Sequence, residues 1–354
     1  TTQEYFSYYG FDAAREKGYT GKGITIALID GPVDTSAPEL AGANIVDKSR
    51  CTIEASAKGI RHGTDMATIL VSPYTGVAPD ATLLSYQLSN DSSISEGTCK
   101  ADGKKLDNFD TLINQAVEDG AQIISISQGT GHLGDDAKWA IANAITHGVI
   151  IVASAGNTSH EENNTHLGKY SGVVGVSAIN TDGTFASYSS WGNGVVTAAI
   201  GGPFNTRDPE TNQPTSNEGT SMSTALVAGM LALARQKWPE ATTNQILQSL
   251  VHTGLNPNHE WNQYTGYGAI DGGGLVIDDP SQYPDENPIL NKPGGSEPTA
   301  EEVADYADGI VSPSANVGIP DSYVYRGVDD KVVLYHTDLK TPLHLGTSPR
   351  YHRK

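Results

Sequence analysis

Gly23-Ile-Thr-Ile-Ala-Leu-Ile-Asp30 is the stretch that decides the fold. The turn-forming Gly18-Tyr-Thr-Gly-Lys-Gly23 launches it, and the apolar run 24–29 suits a strand buried on both faces of a parallel sheet. Similar runs recur along the chain at 83–88, 122–126, 149–153 and 173–177. Stretches of helical character lie between them at 108–118 and 135–146, and a short helix at 11–17 precedes the first run. Strands alternating with helices imply an α/β fold with a mostly parallel central sheet, crossover connections and helices on both faces. Residues 223–238 form a helix whose first half is apolar on nearly every side, which places it in the middle of the protein.

At 354 residues the chain has room for about two domains, or for one large α/β domain with an appendage. Its composition shifts near residue 279. Pro280, Pro284, Pro288, Pro293 and Pro298 follow among acidic and small residues, the pattern of an extended linker or of a chain laid over the surface. The expected organisation is a body of residues 1–278 and a Pro-rich extension of residues 279–354, packing on the body or trailing from it. The last part, 320–354, carries six Lys/Arg and four Asp, and reads as a solvated extension with a short hairpin around 331–335. No internal repeat is present in the sequence.

Twenty-two Lys and Arg against 41 Asp and Glu give a net charge of −19, which opposes nucleic-acid binding, since phosphate contacts need basic patches. No apolar run approaches the roughly 18 residues of a membrane span. The chain opens at Thr1 with neither an initiator Met nor a signal-peptide pattern, so a leader or pro-segment is expected to have been removed. Two cysteines, Cys51 and Cys99, cannot build a zinc cluster by themselves, and their separation of 48 excludes a local redox motif. They form one disulfide or remain two thiols; the polar, turn-like sequence around both favours the disulfide.

Asp30 follows the first apolar run directly, so its carboxylate belongs at the carboxyl end of a parallel strand, where α/β sheets place their sites. Alone, an Asp there is most simply a turn former. His62, in Arg61-His-Gly-Thr-Asp-Met-Ala-Thr-Ile-Leu70, is expected to begin an apolar helix after a polar loop. Asn217-Glu-Gly-Thr-Ser-Met-Ser-Thr-Ala-Leu-Val-Ala-Gly229 puts Ser221 at the start of the buried helix, with Gly219 just before it. There the positive end of the helix dipole and free backbone N–H groups favour negative charge developing beside the serine. The order Asp30, His62, Ser221, with a short first gap and a long second, is one of the chain orders of the Ser-His-Asp triad.

Around these residues run Ile26-Ala-Leu-Ile-Asp-Gly-Pro-Val-Asp34, His62-Gly-Thr-Asp-Met-Ala67, Gly76-Val-Ala-Pro-Asp-Ala81, Ile124-Ser-Ile-Ser-Gln-Gly129, Val152-Ala-Ser-Ala-Gly-Asn157 and Gly219-Thr-Ser-Met222. Through these motifs residues 10–278 resemble the subtilases, the subtilisin-like serine peptidases. The resemblance implies the subtilisin-like form of the parallel-sheet fold and a catalytic set of Asp30, His62, Ser221 and Asn157. Ser221 would be the nucleophile and His62 its base and later acid. Asp30 would fix the imidazole tautomer, and the Asn157 amide would donate to the oxyanion with the Ser221 N–H. Ser127, Gln128 and Gly129 match the strand that pairs with an extended polypeptide substrate. Ala153, Ser154, Ala155 and Gly156 match the opposite wall of the P1 pocket. Phe109 resembles the aromatic flanking the P4 pocket, or is a helix core residue. Glu161 and Glu162 fall in the loop that closes the P1 pocket in relatives, where a carboxylate favours Lys or Arg; the plainer reading is a solvated loop. A Cys51–Cys99 bridge would brace a substrate-binding loop.

Two departures qualify the resemblance. The family continues its nucleophile motif with Pro and His four and five residues after the serine, where this chain has Ala225 and Leu226. Only 13 residues separate His62 from Gly76, too few for the loop that wraps calcium in many relatives. No metal ligand set is assigned and no cofactor is expected to be required, although the acidic charge is able to hold structural Ca²⁺ elsewhere. The expected activity is that of a monomeric, secreted or cell-surface serine endopeptidase. The alternative is a dedicated peptide-maturation protease or transpeptidase using the same acyl-enzyme. A binding protein on a degenerate scaffold is a third reading, which the four intact residues oppose.

Overall fold

The computed structural model describes residues 3–88, 99–101, 104–128, 135–163 and 166–308. At its centre, seven strands pair in parallel: β1 (Thr25–Asp30), β2 (Ile45–Asp47), β3 (Thr82–Gln87), β6 (Ile123–Ile126), β7 (Ile150–Ser154), β8 (Val173–Ile179) and β9 (Val195–Ile200). Their order is β2-β3-β1-β6-β7-β8-β9. Two short antiparallel pairs stand outside the sheet, β4 (Lys100–Ala101) with β5 (Lys104–Lys105), and β10 (Phe204–Arg207) with β11 (Pro214–Asn217). Each expected strand is found within about two residues of its expected bounds. The edge strands β2 and β9 extend the sheet beyond the five runs.

The helices are α1 (Glu4–Tyr8), α2 (Phe11–Glu16), α3 (Ala57–Val71), α4 (Phe109–Glu118), α5 (Asp135–Thr146), α6 (Thr220–Lys237), α7 (Thr243–Thr253), α8 (Gly272–Ile277) and α9 (Ala300–Ala307). Alternate residues of β1 face opposite sides of the sheet, as strand geometry requires. Ile26 and Leu28 join the apolar cluster that contains Met66 of α3, Leu226 of α6 and Ile246 of α7. Ala27 and Ile29 join the one built on Leu112 of α4 and Ile141 of α5. This double burial explains why the sheet strands read as unbroken apolar runs.

Two helix starts differ from expectation. Ser56 Oγ accepts the Gly59 N–H at 3.1 Å and caps α3, so the helix begins at Ala57 and His62 lies in its second turn. The polar stretch 57–61 therefore belongs to the helix and not to a preceding loop. Helix α6 begins at Thr220, three residues before the apolar stretch, and carries Ser221 in its first turn.

Cys51 and Cys99 are joined, with Cα atoms 5.8 Å apart. Residues 279–308 lie against the body. Thr242 Oγ1, at the N-cap of α7, and Asn244 Nδ2, in its first turn, both donate to the Asp285 carboxylate, and Tyr306 of α9 stacks on Trp139 of α5 with ring centroids 6.4 Å apart. Lys138 and Glu302 form an ion pair at 2.8 Å beside that stack. The hairpin expected around 331–335 lies outside the described residues.

Candidate active site

Asp30 ends β1, completely buried, at the carboxyl edge of the sheet. The following turn meets helix α3 backbone to backbone: a Cβ on Gly31 would run into the Gly59 carbonyl, and one on Gly63 into the carbonyls of Gly31 and Pro32. Glycine at both points lets α3 approach until His62 Nδ1 stands 2.8 Å from Asp30 Oδ1. The same carboxylate oxygen accepts the Gly31 N–H at 2.6 Å and the Gln128 amide at 2.7 Å, while Oδ2 has no hydrogen-bond partner among the described residues. Burial pulls the His62 pKa down, but attraction to Asp30, the hydrogen bond to it and the more distant charge of Asp65 outweigh burial and raise it.

Ser221, at the start of α6, donates its hydroxyl to the Ser127 carbonyl at 2.9 Å, and Ser127 Oγ donates back to the Ser221 carbonyl at 3.1 Å. A hydroxyl has one proton, so while Ser221 donates to the Ser127 carbonyl it does not donate to His62. The next residue, Gln128, reaches the other half of the site: besides its bond to Asp30, its Nε2 lies 3.2 Å from His62 Nδ1. The segment after β6 thus touches Asp30, His62 and Ser221 through two adjacent residues. Asn157 Oδ1 accepts both the Thr220 N–H, at 2.8 Å, and the Thr220 hydroxyl, at 3.0 Å. Those two bonds fix which way the amide points and leave Nδ2 free to donate beside Gly219, where an added Cβ would lie 3.2 Å from it.

Residues 21–268 match the Subtilase family. The chain belongs to that family. It is a serine protease of the subtilisin type. Among relatives, it is 30% identical to subtilisin DY of Bacillus licheniformis over 267 residues, covering 73% of this chain and 93% of that protein. It is 28% identical to a thermostable alkaline protease of Halalkalibacterium halodurans over 278 residues, 76% of this chain and 70% of the relative. Among solved structures, the prenylagaramide maturation protease PagA superposes with a TM-score of 0.61 at 24% identity, over 75% of this chain and 97% of its own. MycP1 of Mycobacterium smegmatis gives 0.63 at 24% identity, over 79% and 85%. At such identities these two likenesses concern the fold.

In this subtilase the remaining expected site residues fall as follows. Ala153 and Ser154 end β7, buried, and Ala155 and Gly156 continue toward Asn157. Gly156 has φ 105° and no room for a Cβ, because the His166 ring lies against it. Phe109 is buried in the first turn of α4, in the cluster with Tyr86, Leu88 and Leu112. Gly129 lies outside the described residues. Ala155, Glu162, His166, Gly168, Trp191 and Gly194 line a pocket whose free space is about 10 Å³, the threshold for one water. Glu162 accepts the Thr158 hydroxyl at 2.9 Å and stands 3.9 Å from His166, whereas Glu161 is exposed. Burial, outweighing Glu162, lowers the His166 pKa.

The sequence pattern assigned no role to Asp65, His166 or the Gln128 amide. Asp65 is buried three residues after His62 and accepts Arg61 Nε at 2.8 Å and the Thr206 hydroxyl at 2.6 Å. A charged residue inside an otherwise apolar helix face was the available signal. The turn after α3 gathers on a guanidinium: Arg15 donates to the carbonyls of Pro73 at 2.7 Å and Gly76 at 2.6 Å. No group of three or more His, Cys, Asp or Glu suited to a metal is found among the described residues.

Proposed function

We propose that this subtilase is an endopeptidase that cleaves extended polypeptides by an acyl-enzyme mechanism, with Asp30, His62 and Ser221 as triad and Asn157 in the oxyanion hole. The observation that carries it is the buried Asp30 carboxylate 2.8 Å from His62 Nδ1 at the strand edge, with Ser221 beginning the adjacent buried helix. Ser221 Oγ attacks the carbonyl carbon while its proton passes to His62 Nε2, and the imidazolium so formed is stabilised by Asp30. The carbonyl electron pair moves to oxygen, where Asn157 Nδ2 and the Ser221 N–H receive it. Collapse expels the amine with the His62 proton, and water repeats the cycle on the acyl group. A substrate strand pairing with residue 127 would compete for the carbonyl that now holds the Ser221 proton, freeing the hydroxyl for His62. The nearly filled pocket beside Gly156 favours a small P1 side chain. A disulfide suits an oxidising compartment, so action outside the cytoplasm is proposed.

Casein and short chromogenic peptides test the activity, and fluorophosphonate labelling tests the nucleophile. Cleavage with labelling at Ser221 supports the reading; absence of labelling in folded protein sinks it. The rate should rise with pH through a midpoint above the ordinary histidine value of about 6.5, because only neutral His62 accepts the proton and its pKa is raised. Asp65→Asn removes a negative charge that favours the imidazolium, so the midpoint should fall; an unchanged or higher midpoint would contradict the electrostatics. EDTA should leave activity within about twofold, since Arg15 already satisfies the carbonyls of the shortened turn. Rapid inactivation by EDTA would reveal a required metal.

Ala225, fully buried in the second turn of α6, favours a second reading as a peptide-maturation protease or transpeptidase. Proline at this place would fix φ and fill space beneath the nucleophile. With alanine the first turn has more freedom and the acyl-enzyme more room for an incoming amine. The wild type should therefore give a higher ratio of ligated to hydrolysed product than Ala225→Pro at one fixed amine concentration. An equal or higher ratio in the variant leaves the hydrolytic reading alone.

A further inference from the structure

Lys292 lies in the segment the sequence marks as Pro-rich, yet only 7% of it is exposed. Its ammonium enters the body and donates to three backbone carbonyls, of Gly168 at 2.5 Å, Val173 at 2.5 Å and Gly194 at 3.0 Å. No carboxylate forms an ion pair with it among the described residues. An ammonium has three donors, and each finds one of these oxygens, so the charge is compensated by carbonyl dipoles alone. Burial pushes its pKa down to about 7, the direction expected for an ammonium taken out of water.

Two of the three carbonyls belong to residues of the pocket that Ala155, two residues before Asn157, also lines. Gly168 and Gly194 line it together with His166 and Trp191. They meet as bare backbone: a Cβ on Gly194 would strike the Gly168 carbonyl, and one on Gly175 the Gly194 carbonyl. These backbone segments meet without an intervening Cβ, and carbonyl oxygens brought together repel one another unless a cation sits among them. The loop carrying Lys292 is tied down independently. Ser296 Oγ lies 2.6 Å from Ser171 Oγ, the Ser171 N–H donates to the Glu297 carbonyl at 2.9 Å, and the Gly172 N–H donates to that of Ile289 at 2.9 Å.

We propose that Lys292 is a positioning residue for the substrate pocket: the C-terminal segment inserts an ammonium that sets the spacing of the Gly168 and Gly194 backbones and thereby the width of the P1 site. The proposal rests on the endopeptidase reading and goes further, because it makes the extension part of the specificity apparatus.

The test uses Lys292→Ala with two peptide anilides differing only in P1, Ala or Phe, alongside fluorophosphonate labelling and thermal melting. Loss of the ammonium should lower kcat/KM on the Ala substrate about tenfold, through KM, and reduce discrimination against Phe, while kcat and the labelling rate stay within about twofold. Methylammonium chloride should restore the low KM, and tetramethylammonium chloride at equal ionic strength should not, because only the former carries N–H donors of the right size. Ser296→Ala, which leaves no charge or large cavity behind, should shift KM in the same direction, and it keeps the question open to test if Lys292→Ala does not fold. A lower melting temperature with unchanged KM and P1 selectivity in both variants would overturn the proposal, as would equal rescue by both salts. An unlabelled wild type would instead overturn the serine nucleophile itself, a result separable from failure at Lys292, where labelling persists and KM does not move.

Discussion

Ser221→Ala is expected to lower kcat by about 10⁶-fold, the loss that removing the nucleophile causes in a subtilisin, a relative of this chain. The neighbouring hydroxyl at the start of α6, that of Thr220, already donates to Asn157 Oδ1 at 3.0 Å, so it is not expected to replace Ser221 in forming the acyl-enzyme. The change removes one hydroxyl that donates to the Ser127 carbonyl, and the helix start loses no cap, since Asn157 continues to hold Thr220. Melting temperature should therefore barely move. What survives is the contribution of binding and the oxyanion hole, roughly 10³–10⁴ over the uncatalysed rate. Activity within a hundredfold of wild type, measured on protein free of contaminating protease, would show that the bond is broken by another group.

The second large effect is expected at Asp30→Asn, with a fall in kcat of about 10³–10⁴. Here the local bonding changes the usual reason for the loss. Oδ1 receives three donors, from Gly31, His62 and Gln128, while Oδ2 is buried with no hydrogen-bond partner among the described residues. An asparagine is expected to keep its carbonyl oxygen where the three donors are and place its amide at the Oδ2 position, so the imidazole tautomer survives. The missing element is the charge that stabilises the imidazolium. The pH midpoint should accordingly drop together with the rate, since Asp30 is the strongest influence raising the His62 pKa. A loss under tenfold, or a midpoint that stays put, would mean that Asp30 only orients the ring.

The places of Asp30, Ser221 and Asn157 in the fold are legible because each lies at or beside the end of an element whose apolar pattern is local, and that of His62 because it lies on a helix with an apolar face. His62 was misplaced within its helix because the cap at Ser56 acts on a polar stretch that carries no periodic signal. The resemblance places Gln128 on the strand whose backbone pairs with substrate and gives no role to its amide, which contacts Asp30 and His62. That contact exists because β6 lies beside β1, and strands about a hundred residues apart become neighbours only through the sheet order. Lys292 shows the same limit more sharply. Its prolines and acidic neighbours describe a surface chain, whereas its burial depends on three carbonyls contributed by Gly168, Val173 and Gly194.

The amino-acid sequence by itself determined the parallel sheet, its covering on both faces and the family's motifs, because strand and helix patterns and tight turns are governed by residues within a few positions of one another. Tertiary structure alone decided how the pieces complete one another: which amide joins the Asp30 carboxylate, which guanidinium closes the turn after α3, and which ammonium enters the wall of the pocket. Those pairings are set by buried polar groups seeking partners from distant segments, since an unpaired one costs about 1–3 kcal/mol. Nothing in the order of residues along the chain records where such partners will meet.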